Sequence, residues 1–347
     1  MPLPEFRKSH VGNPDLYEPM TQLVETIAAT TDSGDNADVF YELLATVARL
    51  ADGAADRSDL ERLSDMLKEL RTAIDIFAKH ADKRKVSIFG SARTKPDEPQ
   101  YRLAYDVAAA MVEHDWMIMT GGGPGIMTAG MEGGGRANSF GLSIVLPFET
   151  EPPEIIARDP KLIDFKYFFT RKLHLVKESD GFAMFPGGFG TMDETFELLT
   201  LMQTGQTPLA PVVLMDGGMS YWDRWVDFVK TDLSDNGLIS EDDLAMFFVT
   251  NDVEEARDEI CGFYSTFHSL EQTSDQLVLR LERQLESDEL TALNQRFSGL
   301  LVSGSIDHVD AHREEIDELE RPRIGFHYNQ RSAGQLRLLI NQINQRD

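Results

Sequence analysis

The stretch GFAMFPGGFGTMDETFE, residues 181–197, joins a short apolar run to a glycine-rich turn and then to an amphipathic segment. This order predicts a strand that passes through a tight loop directly into a helix. The N–H groups and the positive dipole end of such a helix lie beyond the strand and favour a phosphate group. We therefore expect a phosphate-binding loop made of Pro186, Gly187, Gly188, Gly190 and Thr191.

Glu194, near the end of this motif, has two interpretations. Thr191 and Glu194 have the Thr-x-x-Glu spacing of a capping box, in which the threonine caps the helix and the glutamate bonds back to its N–H. Alternatively, Thr191 and the glycine amides hold a phosphate and Glu194 is a catalytic carboxylate. The motif by itself is compatible with both.

A second glycine-rich loop, TGGGPGIM at 120–127, follows the apolar run WMIMT and repeats the same pattern. It is neither GxGxxG, because Ile126 occupies the sixth position, nor a Walker loop, because no Gly-Lys-Ser/Thr follows. A strand-to-helix turn without a ligand is the alternative. Two such loops at strand ends favour a shared nucleotide site, with candidate contacts at Gly121, Gly122, Gly123, Gly125 and Met127.

Outward from these loops, short apolar runs alternate with amphipathic stretches such as YRLAYDVAAAMVEH. This alternation predicts an α/β fold with a doubly wound parallel sheet that is covered on both faces. Ligands of such sheets bind beyond the carboxyl ends of the strands, where both glycine loops fall. The predicted strands are 86–90, 116–120, 142–147, 181–186, 211–216 and 246–250.

The sequence divides into three sections, with expected boundaries of 1–80, 81–264 and 265–347. Residues 1–80 have apolar residues at three- and four-residue spacing, which predicts a helical extension with Asn36 and Asp59 as caps. Residues 81–264 form the predicted nucleotide-binding domain. Residues 265–347 are expected to be a small α/β or mainly helical extension.

Two basic segments contribute further candidates. Arg171 and Lys172 lie in FKYFFTRKLHLVKE, and Ser91 and Arg93 lie in SIFGSAR, where the first strand runs into a polar loop. A permanently charged, planar guanidinium suits phosphate or ribose recognition. The alternatives are a solvated basic pair in a helix, a turn serine and a surface arginine.

Composition excludes several functions. With a formal charge of −26, the chain is expected to bind neither DNA nor RNA. The sequence has no long apolar run and no leader-like N-terminus, so neither membrane insertion nor secretion is expected. One cysteine, Cys261, excludes an internal disulfide and fits a cytoplasmic protein. Cys261 is expected to pack in the core, and His308 and His312, although spaced for a metal, are expected to be surface residues.

The motifs GSAR, TGGGPGIM, FTRK and PGGFGTMDE, in this order, resemble the LOG ("lonely guy") family of Rossmann-like phosphoribohydrolases over roughly residues 81–264. LPFETEP and LMQTGQTP resemble its longer bacterial branch. The resemblance implies hydrolysis of the N-glycosidic bond of a nucleoside 5′-monophosphate, such as AMP or an N6-substituted AMP of the cytokinin type, to free base and ribose 5-phosphate. It implies Glu194 and Arg171 as catalytic residues, no metal or other cofactor, and a homodimer or larger homo-oligomer.

The sequence departs from the family where many members have GIMEAAN. Thr128 and Met131 replace a carboxylate and an amide there, which leaves the base specificity open. A non-catalytic nucleotide sensor or carrier on the same fold is the main alternative, because fold does not fix function. The older family label, lysine decarboxylase, would need a pyridoxal-phosphate lysine, for which no local pattern is present.

Overall fold

The computed structural model describes residues 13–31, 36–145, 151–313, 315 and 317–345. Contacts divide the chain into two compact units, with the division between Arg71 and Thr72. The first unit is helical, as predicted, with a small core of Met20, Val24, Tyr41 and Ala45. Its helices are α1 (Tyr17–Thr30), α2 (Ala37–Asp52) and the beginning of α3 (Arg57–Phe77).

The two caps predicted for this unit have different outcomes. Asn36 directly precedes α2, although its side chain makes no capping hydrogen bond. The prediction of Asp59 as a cap is wrong, because α3 begins at Arg57 and the Asp56 carboxylate accepts from the Asp59 N–H at 2.9 Å.

The second unit contains a seven-stranded, all-parallel sheet in the order β4-β3-β2-β1-β5-β6-β7. The predicted doubly wound α/β fold is therefore confirmed. The strands are β1 (Lys85–Phe89), β2 (Met117–Thr120), β3 (Ser139–Ile144), β4 (Leu162–Phe165), β5 (Gly181–Met184), β6 (Val212–Leu214) and β7 (Phe248–Val249).

Helices cover both faces of this sheet. One face packs a core that includes side chains of α4 (Pro99–Glu113), α5 (Ile126–Asn138) and α9 (Val253–Gly262). The opposite face packs α6 (Phe168–Lys177), α7 (Phe189–Gln203) and α8 (Tyr221–Phe228). The chain moves outward from β1 to β4 and then crosses to β5 on the other side of β1, so the strand order reverses between β1 and β5. Ligand sites of such sheets lie at this reversal.

Two strands differ from the sequence prediction. The edge strand β4 was not predicted, because it is short and alternates buried Ile163 and Phe165 with exposed Asp164 instead of forming an apolar run. The third strand begins at Ser139, three residues before the predicted start at Leu142. The end of that prediction, at 146–147, and most of the LPFETEP segment lie outside the described residues, as do residues 1–12 of the N-terminus.

Residues 267–343 contain a four-stranded antiparallel sheet in the order β10-β11-β9-β8, with two helices. Of the two predicted alternatives, the α/β extension is therefore the one observed, whereas the exact boundaries near residues 80 and 264 stay predictions. The elements are β8 (Phe267–Gln272), β9 (Leu277–Leu281), α10 (Ser287–Arg296), β10 (Leu301–His308), β11 (Arg323–Tyr328) and α11 (Ala333–Ile343).

The residues singled out as poor site candidates have ordinary surroundings. Cys261 packs against the core on the α4 face of the sheet. His308 contacts the Leu285 carbonyl oxygen through Nε2 at 3.0 Å, while His312 lies 3.7 Å from Asp275. Within the described ranges, no three His, Cys, Asp or Glu side chains are grouped to hold a metal ion. No helix in those ranges has the length and apolarity needed to cross a membrane.

Candidate active site

A cavity of about 750 Å³ opens at the carboxyl ends of β1, β2 and β5, where the strand order reverses. It brings together most of the residues predicted from four separate segments of sequence. Those that line it are Ser91, Arg93, Gly121, Met127, Arg171, Gly187, Gly188, Gly190, Thr191 and Glu194. A groove of about 860 Å³ between α10 and α11 lies away from the strand ends and is lined largely by amide side chains.

The backbone of Ser91 joins the two glycine loops. Its N–H donates to the Pro186 carbonyl at 3.0 Å, and its own carbonyl accepts from the Ile126 N–H at 3.1 Å. The Ser91 hydroxyl accepts from the Arg93 N–H at 3.0 Å, which is the turn that the sequence offered as an alternative. The loop after β1 therefore fixes the starts of α5 and α7 relative to each other.

Two glycines are required for this arrangement. Gly125 has a φ of +70°, and a Cβ there would lie 2.2 Å from the Ser91 carbonyl oxygen. A Cβ on Gly187 would lie 2.0 Å from the Thr191 hydroxyl oxygen. A Cβ at Gly125 would push the second glycine loop away from the loop after β1, and a Cβ at Gly187 would displace Thr191 at the start of α7.

Arg171 reaches the cavity from α6. Its Nε donates to the Leu142 carbonyl oxygen at 2.8 Å, which fixes the side chain across the end of β3. A Cβ on Gly121 would lie 2.5 Å from a terminal guanidinium nitrogen, so the second glycine loop leaves room for the arginine. The guanidinium thus occupies a defined position at the cavity wall.

The first turn of α7 rules out the capping-box interpretation. The helix begins at Phe189 with Gly188 as its N-cap, so Thr191 is the third helical residue and not the cap. No side chain caps this end. The first N–H groups of a helix have no acceptor within it, and here they belong to residues that line the cavity. Glu194 makes no capping-box bond and lies in the cavity wall instead.

Glu194 is an unusual carboxylate. It is 9% exposed, and burial raises the pKa of its carboxyl to about 7. The cations of Lys172 and Arg171 oppose this rise, while the neighbouring carboxylates of Glu197 and Asp193 add to it. A carboxyl group that titrates near neutral pH inside a cavity is typical of a catalytic site.

Lys172, predicted to contact the substrate, does not line the cavity. Its ammonium group donates to Asp193 at 2.6 Å and to Glu197 at 2.5 Å, and lies 3.9 Å from Glu194. Asp193 and Glu197 lie on the neighbouring helix α7, and their carboxylates pair with the ammonium group. This pairing holds Lys172 outside the cavity lining. The structure therefore places Lys172 behind Glu194, where it acts on the electrostatics of that carboxylate.

The other predicted residues outside the lining shape the loops. Pro186 supplies the carbonyl that Ser91 binds. The Gly122 N–H donates to the Thr120 hydroxyl at 3.1 Å, and the Gly123 carbonyl accepts from the Thr128 hydroxyl at 2.9 Å. Thr128, which departs from the family pattern, therefore has a role in holding the second glycine loop.

Sequence reasoning missed two exposed aromatic residues at the cavity. Phe189 is 97% exposed and Phe168 is 53% exposed, and both line the cavity. Phe189 stands between the glycines of the motif, where a helix start has no core to pack against. An aromatic residue in that position was the available signal.

The fold and cavity define an α/β protein with a candidate ligand site at the strand reversal. The sequence model of the family described as "Possible lysine decarboxylase" matches residues 120–260. A cytokinin riboside 5′-monophosphate phosphoribohydrolase from Arabidopsis thaliana is 25% identical over 163 residues, which are 45% of this chain and 73% of that protein. An enzyme of the same name from Mycobacterium tuberculosis is 29% identical over 157 residues, 44% of this chain and 81% of that protein. These matches support membership of the LOG family, which the motifs predicted.

Solved structures give a weaker comparison. The molybdenum cofactor carrier protein of Chlamydomonas reinhardtii is 21% identical, with a TM-score of 0.34, and the match covers 50% of this chain and 94% of that one. The molybdenum cofactor binding protein of Rippkaea orientalis is 18% identical, with a TM-score of 0.34, and covers 50% and 91%. Similarity at this level says nothing about the ligand of this chain.

Burial of Glu194 predicts a pH-dependent cost to stability. The carboxyl pKa is about 7 in the folded chain and near 4.5 when unfolded, so ionisation is penalised in the fold as pH rises through this window. Glu194→Gln, which cannot ionise, should raise the free energy of unfolding above pH 7 by roughly 1–3 kcal/mol. The gain should disappear near pH 4, where the native carboxyl is neutral in both states. Denaturant titrations at pH 4 and pH 8 measure this; equal gains at both would contradict it.

Proposed function

We propose that this protein hydrolyses the N-glycosidic bond of a nucleoside 5′-monophosphate to free base and ribose 5-phosphate. The observation that carries the proposal is the convergence of a buried carboxylate, Glu194, and an oriented guanidinium, Arg171, on one cavity at a helix N-terminus. The names of the two phosphoribohydrolases that are similar in sequence support it.

The start of α7 is the expected phosphate site. Gly188, Gly190 and Thr191 line the cavity at the first turn of a helix that has no side-chain cap. The helix dipole and the N–H groups without intrahelical acceptors favour a dianionic group there. The arginines at the cavity, Arg93 and Arg171, add positive charge in a chain with a formal charge of −26. This local charge allows an anionic substrate in spite of the acidic surface.

In the reaction, the bond between the base nitrogen and C1′ breaks while an oxygen of water bonds to C1′. The base leaves with the electron pair and takes up a proton, and the water loses one. The ribosyl carbon carries positive charge at the transition state, as in glycoside hydrolysis. The Glu194 carboxylate would stabilise that charge, bind the ribose hydroxyls or activate the water. Charge stabilisation and activation of water need its ionised form, which also accepts hydrogen bonds from the hydroxyls more strongly. Arg171, fixed by the Leu142 carbonyl, would orient the nucleotide.

The base would lie toward the apolar side of the cavity. Phe168, Phe189 and Met127 line it and offer surfaces on which a planar base can stack. We propose AMP or an N6-substituted AMP as the substrate, since an apolar N6 group would bury part of the exposed Phe168 and Phe189 rings. We further propose that the protein acts in the cytoplasm as a homo-oligomer, on a small molecule and not on nucleic acid.

A base-release assay with AMP, GMP, CMP and N6-prenyl-AMP tests the reaction directly. Glu194→Gln should lower the turnover number at least about 100-fold, because a catalytic carboxylate contributes a factor on the order of 10²–10⁴ to the rate. Binding of AMP to the variant should largely survive, because the phosphate contacts come from the backbone. Retained turnover in Glu194→Gln would contradict the catalytic role of Glu194. If the wild type binds the nucleotide but releases no base, a sensor or carrier is favoured.

Glu197→Gln is the matched control on the same helix. Glu197 lies outside the cavity lining, with its side chain 38% exposed. This variant should keep most of the turnover at pH 8.

The position of Lys172 predicts the direction of a pH shift. Since the ionised Glu194 is the active form and its pKa is about 7, kcat/KM should fall as the pH drops below about 7. Lys172 lowers this pKa, so Lys172→Met should move the acid limb of the profile to higher pH. A pH–rate profile of both proteins measures the limb; an unchanged limb or a shift to lower pH would contradict the role assigned to Lys172.

A further inference from the structure

Tyr221, the first residue of α8, contacts the phosphate-binding loop from outside the cavity. Its hydroxyl donates to the Gly187 carbonyl oxygen at 2.8 Å. Gly187 and Gly188 both line the cavity, whereas Tyr221 is not part of its lining. The carbonyl of the peptide between the two glycines therefore points away from the cavity, toward α8.

The orientation of this one peptide decides what the cavity offers to a phosphate. In a trans peptide the C=O and N–H groups point in opposite directions, so the Gly188 N–H is directed away from Tyr221. Both flanking residues are glycines, which accept the backbone angles of either peptide orientation at little steric cost. A flipped peptide would present a carbonyl oxygen, which repels phosphate, in place of an N–H donor.

Tyr221 is itself firmly anchored. The Asp216 carboxylate after β6 accepts from the N–H groups of Gly218, Met219, Tyr221 and Trp222, at 2.6 to 3.2 Å. Burial alone would raise the pKa of Asp216, but these donors hold it below its usual range, so the carboxylate stays ionised. The Trp222 indole N–H donates to the Met184 carbonyl at 3.0 Å, at the end of β5. The start of α8 is thus fixed to the strand that leads into the loop.

We propose that Tyr221 is a positioning residue that holds the Gly187–Gly188 peptide with its N–H directed at the substrate phosphate. The inference rests on the proposed function, because it assigns the phosphate to this loop. It adds a residue that lies 34 positions after Gly187, on another helix, to the recognition of the phosphate group.

Tyr221→Phe tests this by removing the hydroxyl and nothing else. Loss of one oriented donor should raise the KM for AMP about tenfold, with a smaller change in kcat, because phosphate binding contributes equally to the ground and transition states. The inhibition constant of inorganic phosphate should rise by a similar factor. Release of adenine from adenosine, which has no phosphate, should be unchanged.

Tyr264→Phe is the matched control. The Tyr264 hydroxyl also donates to a backbone carbonyl, that of Asp180, at 2.8 Å, and Tyr264 is not part of the cavity lining. It should lose a comparable hydrogen bond without a change in the KM for AMP. If Tyr221→Phe alters only thermal stability, as Tyr264→Phe does, or raises KM for AMP and adenosine equally, the positioning role is wrong.

A direct binding measurement keeps this proposal separate from the hydrolase assignment. Calorimetric titration of the wild type and Tyr221→Phe with inorganic phosphate needs no turnover. If the wild type releases no base from AMP but its affinity for phosphate is about tenfold above that of Tyr221→Phe, the hydrolase assignment fails and the positioning role stands. Equal affinities for phosphate would overturn the positioning role whatever the catalytic result.

Discussion

The site depends on two hydrogen bonds of the Ser91 backbone, one made by its N–H and one by its carbonyl. They connect the loop after β1 to Pro186 on one side and to Ile126 on the other, across the point where the strand order reverses. Without this connection, the two glycine loops would be independent strand-to-helix turns. With it, two helix N-termini face one cavity. Gly125 is needed because the Ser91 backbone lies too close for a side chain, and Gly187 because a Cβ there would collide with the Thr191 side chain.

Burial of the Glu194 carboxylate in this site also has an electrostatic cost. Glu194 is buried beside other carboxylates, and the nearest ammonium group, that of Lys172, is shared among Asp193, Glu197 and Glu194. The incomplete compensation leaves Glu194 with a pKa near neutrality. A buried carboxylate with incomplete compensation lowers stability, which fits the proposed functional role better than a structural one.

Much of the fold could be predicted from local sequence, because its strands are apolar runs that end at glycine-rich turns. The residues at the cavity were found by the same reasoning, since the carboxyl ends of parallel strands meet at one edge. What local patterns did not give were features decided by tertiary contacts. Edge strand β4 has an alternating pattern instead of an apolar run. The Thr191–Glu194 spacing matches a capping box, but the helix begins at Phe189. Lys172 pairs with carboxylates of another helix. Tyr221 carries no motif, and only the folded chain brings its hydroxyl to Gly187.

We propose that one cavity binds a nucleoside 5′-monophosphate and cleaves the bond between its base and its ribose. The most direct measurement is ³¹P NMR of a mixture of the protein with AMP, followed over time, because the phosphorus signal distinguishes every fate of the phosphate. Hydrolysis of the N-glycosidic bond should replace the AMP signal with that of ribose 5-phosphate, with free adenine in the same sample. Appearance of inorganic phosphate, or an AMP signal that persists at substrate and enzyme concentrations where binding is saturated, would contradict it.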